Sequence, residues 1–233
     1  MSNEDAELIK AGTQALIEGG MKPFSDLIRT VLGPAAEEAG AMFQEHVRSY
    51  RIQRQIRLWA QTQKALEALG VKPRQVPLRL LAPIIENASV EDDDDLQDIW
   101  ANLLANAAGS EGVAEVHPSF PGILKDFTPQ DAKFLDSLYG SALQMGKGEH
   151  RKSPANEVVF DLGVARAVYA RIGDKKNAKL SMDLFERHGL IRTKYGLTKY
   201  SNEIGSAYSF TSFGIAFIEA CRASKPPIKS SSE

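Results

Sequence analysis

Cysteine is nearly absent from this chain of 233 residues: the single copy, Cys221, has no partner for an internal disulfide, so a disulfide-stapled fold is excluded. Histidine occurs four times and never in H-E-x-x-H or E-x-x-H spacing, which removes the common helical metal-ligand sets. G-x-S-x-G, G-x-x-x-x-G-K-[ST], C-x-x-C and G-x-G-x-x-G are also missing. With them go the nucleophile elbow, the P-loop, the paired-cysteine site and the dinucleotide loop. No catalytic residue and no cofactor emerges, so a binding or sensing protein is expected rather than an enzyme. Long apolar runs are lacking too, because charged residues break every stretch before the ~18 residues a spanning helix needs. The start, MSNEDAELIK, has neither the basic flank nor the apolar centre of a secretory signal, and a cytoplasmic location is expected.

The composition is that of a folded domain, with 43% hydrophobic and 25% charged residues near the averages for globular chains. The net charge of −2 hides a split. Residues 1–126 carry 12 Lys+Arg against 19 Asp+Glu, net −7, and residues 127–233 carry 16 against 11, net +5. Opposite signs along one chain suit an acidic body docking on a basic module, or a basic module meeting an anionic partner.

Apolar spacing predicts mainly helix throughout. Residues 1–32 form an amphipathic N-terminal segment, with Leu16, Ile17, Leu27, Ile28 and Val31 at helical period and Gly19, Gly20 and Pro23 as interruptions. A helical domain is expected over 33–126. Its long helix follows Pro34 and carries Val47, Tyr50, Ile56, Trp59 and Leu66. Arg48, Arg51, Arg54 and Arg57 recur every third residue and spread over about half the helix circumference. They read either as a solvated face whose stems cover apolar neighbours or as an interaction site for an anion, a lipid or an acidic protein. A helical hairpin follows, of Leu78 to Ile85 and Leu96 to Ala108; Pro83 can delay the first of its helices until Ala82.

Asp92, Asp93, Asp94 and Asp95 immediately precede the second of these helices, where carboxylates accept hydrogen bonds from free first-turn N–H groups and oppose the helix dipole. The competing reading is a divalent-metal site, but the run lacks the D-x-[DN]-x-[DN]-G spacing. Trp100, in the middle of the apolar stripe, joins the arginines as a candidate interaction residue. His117, alone beside Pro118, reads as a structural loop residue.

Residues 127–223 begin afresh at Thr128-Pro129, an N-cap followed by a helix-starting proline. Helices are expected from there to about Leu143, from Val158 to Ile172 and from Asn177 to His188. Two strands, Ile191 to Lys199 and Ala207 to Thr211, then form a short β-hairpin, and a last helix follows from Phe213 to Ala223. With "LFERHGLI" and "YSFTSFGIAFIEACR" this order resembles a winged-helix domain, and residues 224–233 are expected to be a disordered tail. In a DNA-reading winged helix, Lys175, Lys176, Lys179, Arg187, Arg192, Lys194 and Lys199 would face nucleic acid. Winged helices also bind proteins, and the modest net charge, with Asp183 and Glu186 in the same helix, leans that way.

LGPAAEE at 32–38, VPLRLL at 76–81, LQDIWANLLAN at 96–106 and HPSF at 117–120 occur in the order found in the abortive infection alpha family of bacterial proteins, which the chain resembles over about residues 30–220. The resemblance implies a role in phage defence and assigns no catalytic residue. It suggests a sensor or adaptor working through a protein partner or self-association, with a phage component, a second defence protein or a peripheral membrane surface as contacts. A nucleic-acid-binding regulator is the alternative.

Overall fold

The computed structural model describes Leu27, Thr30 and residues 49–109, 116–146, 158–172, 177–194 and 207–223. Eight helices and three short strands lie among these residues. The expected first helices, most of the 1–32 segment and the 224–233 tail lie outside them. The chain divides into two compact units, one of Met1–Lys125 with Glu219–Glu233, the other of Asp126–Ile218.

In the first unit, α1 (Ser49–Leu69) packs chiefly on α3 (Asp94–Ala108); α2 (Leu78–Ala88) lies against both and against the short α4 (Phe120–Leu124). Each helix buries its apolar stripe: Leu58 and Leu66 from α1, Leu81 and Ile84 from α2, Leu96, Leu103 and Leu104 from α3. Ala101, Ala105 and Ala108 are buried as well, and such small residues let helix backbones approach closely. Gly70, at φ 64, ends α1 in the left-handed conformation that glycine adopts without steric cost.

Of the two starts that Pro83 left open for α2, the structure has the earlier, Leu78, with Pro83 inside the helix. Burial of Leu80, Leu81, Ile84 and Ile85 on one side outweighs the one lost backbone hydrogen bond. The expected helix over Val158 to Ile172 is in fact a strand, β1 (Val159–Asp161), followed by a helix, α6 (Leu162–Ile172). Asp161 makes the break: its Oδ1 accepts the Val164 N–H at 2.8 Å, the N-cap arrangement. The residues before it pair instead with β3.

In the second unit, α5 (Pro129–Gly146), β1, α6, α7 (Ala178–Arg187), β2 (Ile191–Lys194), β3 (Ala207–Phe210) and α8 (Ser212–Cys221) follow in order, the unit ending within α8. The sheet is antiparallel in the order β1-β3-β2, with Phe160 opposite Tyr208 and Ile191 opposite Phe210. Aromatic rings fill the core, Phe134 standing edge-on to Tyr169 at 4.7 Å and tilted against Phe185 at 5.6 Å. The chain after α7 turns at Gly189, φ 69, and α8 then passes so close that a Cβ on Gly214 would collide with the Leu190 carbonyl oxygen.

Candidate functional site

Two places in the fold gather the residues singled out by the sequence. The first is the seam between α1 and α3. Arg54 donates to Asp94 Oδ1 at 2.6 Å, to the Asp92 carbonyl at 2.5 Å and to Gln97 Oε1 at 3.3 Å. One turn on, Arg57 donates to Asp98 Oδ1 at 2.9 Å. The arginine period and the acidic run, about forty residues apart, thus meet as one network. The Arg54 hydrogen bond, and then the Arg57 charge, hold the Asp94 carboxyl below its ordinary 3.8. Asp93 takes the N-cap position, accepting the Leu96 N–H at 2.9 Å, while Asp92 and Asp95 are exposed. Among the described residues no three His, Cys, Asp or Glu side chains converge as a metal site.

Arg51 is half-buried on α1, and Arg48 lies outside the described residues. Trp100, only 1% exposed, belongs to the core of the first unit and presents no indole surface to a partner. Gln97, not singled out by sequence, joins the seam to α2: fully buried, it donates to the carbonyls of Arg54 and Ala88, both at 3.1 Å. His117 is exposed, and its Nδ1 lies 2.8 Å from Ser119 Oγ and accepts the Ser119 N–H at 3.2 Å. Cys221 keeps some surface, but burial pushes its thiol up, so it is not a thiolate at neutral pH.

The second place is the outward face of α7. Ala178, Ser181, Met182 and Phe185 point inward. Lys179, Leu180, Asp183, Glu186 and Arg187 are exposed, and Leu184 is half-buried. Leu180 is the most exposed large hydrophobic residue described, at 70%. Two of the charges are used within the chain. Glu186 Oε1 accepts both the N–H and the hydroxyl of Thr193, at 3.0 and 2.7 Å, and Arg187 lies 3.7 Å from Asp126. His188 lies 3.3 Å from the same carboxylate. Of the remaining basic candidates, Arg192 is exposed and Lys194 half-buried, both on β2, whereas Lys175, Lys176 and Lys199 lie outside the described residues. A signal for Leu180 was present in the sequence: it falls off the 178, 181, 182, 185 stripe and among charges, where a leucine has no core to enter.

Among the described residues no helix is long and apolar enough to cross a membrane. A family model described as abortive infection alpha matches residues 53–221. No curated protein and no solved structure matches the chain.

Proposed function

Because this chain belongs to the abortive infection alpha family, we propose that it serves phage defence by abortive infection and works as a sensor or adaptor, through protein assembly rather than turnover. The helix–strand–helix–helix–strand–strand order of the second unit supports reading it as a winged helix, in which α7 occupies the position of the recognition helix. The observation that carries the reading is the outward face of α7. Its charges balance, Lys179 and Arg187 against Asp183 and Glu186, and its centre is the exposed Leu180. A helix tracking phosphates needs an excess of cations, whereas an apolar side chain ringed by both signs of charge suits a protein surface.

The test is a plaque assay in cells producing the full chain, paired with duplex-DNA binding by the purified protein across a salt series. We expect protection from phage that Leu180→Glu removes without changing the melting temperature, and no specific DNA binding. Duplex binding that falls steeply with salt, together with protection indifferent to Leu180, would establish the nucleic-acid alternative instead. Absence of protection by the wild-type chain against every phage tried would sink the defence role.

A further inference from the structure

We propose that the occupant of the α7 face is a second copy of this chain, bound antiparallel about a two-fold axis. The inference rests on the assembly reading above and names its partner. Of the four charges on the face, Glu186 is held by Thr193 and Arg187 is met by Asp126. Lys179 and Asp183 are the two with no hydrogen bond or ion pair among the described residues. They have opposite signs, lie one turn apart and flank Leu180, while Leu184 continues the apolar edge.

Self-pairing in a two-fold dimer requires that each group meet its complement on the other copy. An antiparallel pairing centred near Met182 does this. Leu180 of one copy comes level with Leu184 of the other, and Lys179 lies within about 3 Å along the axis of the other copy's Asp183, at 1.5 Å rise per residue. The symmetry makes each contact twice. Arg187 comes near the other copy's Lys179, but Asp126 of its own chain offsets that charge. A parallel pairing in register would instead set Lys179 on Lys179 and Asp183 on Asp183.

The size of the face sets the strength. α7 has ten residues, too few to supply the ~800 Å² per partner of a stable complex. The contact is therefore weak, and associates copies where concentration is high or where a further partner gathers them.

The test is sedimentation equilibrium of the full chain with two single variants, Lys179→Glu and Asp183→Lys. Wild type should show reversible, concentration-dependent dimerisation. Each variant alone turns two attractions into two repulsions and should associate about tenfold more weakly. An equimolar mixture of the two restores opposite charges across the interface and should recover association to within about threefold of wild type. An intrahelical effect cannot be rescued in this way by a second molecule. Circular dichroism checks that both variants fold, and Leu180→Glu, on the same face, should abolish dimerisation whatever the charges do. A wild-type chain that stays monomeric, variants that dimerise normally, or a mixture that fails to recover would each overturn the proposal. Plaque protection is scored separately, so a monomeric but protective chain refutes self-pairing and leaves the defence role standing.

Discussion

Asp94 and Gln97 show how differently two side chains of one network respond to their surroundings. Gln97 has no exposed surface, and both ends of its amide are engaged, by Arg54 on one side and by two carbonyls on the other. Asp94 keeps 66% of its side chain in solvent, so its pair with Arg54 is screened by water and salt. Its effect shows best in the pH dependence of stability. Since Arg54 and Arg57 depress the folded-state value below 3.8, folding favours the ionised form. That contribution is complete above the unfolded-state value and is lost as pH falls through the lower folded one. The difference in unfolding free energy between wild type and Asp94→Asn should therefore be small but present at pH 7 and shrink below about pH 4. Denaturant melts from pH 7 down to pH 3 measure it. A gap that stays constant on acidification would mean that ionisation of Asp94 contributes nothing.

Secondary-structure elements were legible in proportion to their length and to how local their signals are. α3, with fifteen residues and Asp93 as its cap, follows from the acidic run and the apolar period alone. Thr128-Pro129 likewise marks the start of α5. β1 is different: three residues are too few to show alternation, and the strand exists because β3, almost fifty residues later, pairs with it. The same limit applied at the seam. Spacing places Arg54 and Arg57 on one side of α1 but says nothing of Asp94 and Asp98 across from them, since that contact is made by tertiary packing. The cap of α5 also reaches further than its sequence suggests. Asp131 Oδ2 accepts the N–H and the hydroxyl of Thr128, and its Oδ1 accepts the Ser181 hydroxyl of α7 at 2.5 Å. Asp131 is 8% exposed and Ser181 3%. Asp131→Ala should therefore cost about 2–4 kcal/mol, more than a simple cap, because a buried hydroxyl also loses its partner. Asp131→Asn should recover part of the loss. Chemical denaturation decides, and a cost within the usual range of about 0.5–2 kcal/mol would show that the Ser181 contact adds nothing.

For the whole molecule, the first unit is discontinuous in sequence: Asp126–Ile218 intervenes between its two segments. The closing segment adds more than length. Asn106, on α3 and 2% exposed, donates through Nδ2 to the carbonyls of Ala220 and Arg222 at 2.7 and 3.0 Å. Ala220 itself has no exposed surface. A late piece of chain thus completes the hydrogen bonding of a helix laid down more than a hundred residues earlier, so the first unit should not reach full stability until residues 219–223 are in place. A chain ending after Ala223 keeps both carbonyls and serves as the reference. Ending the chain after Ile218 removes both carbonyls and should destabilise the first unit by about 1–3 kcal/mol, the usual cost of a buried polar group deprived of partners. Asn106→Leu in the full chain separates the hydrogen bonds from the packing, since it removes the buried amide while keeping comparable bulk, and it should cost less than the truncation at Ile218. Equal stability of the two truncated chains would show that residues 219–223 do not contribute to the first unit.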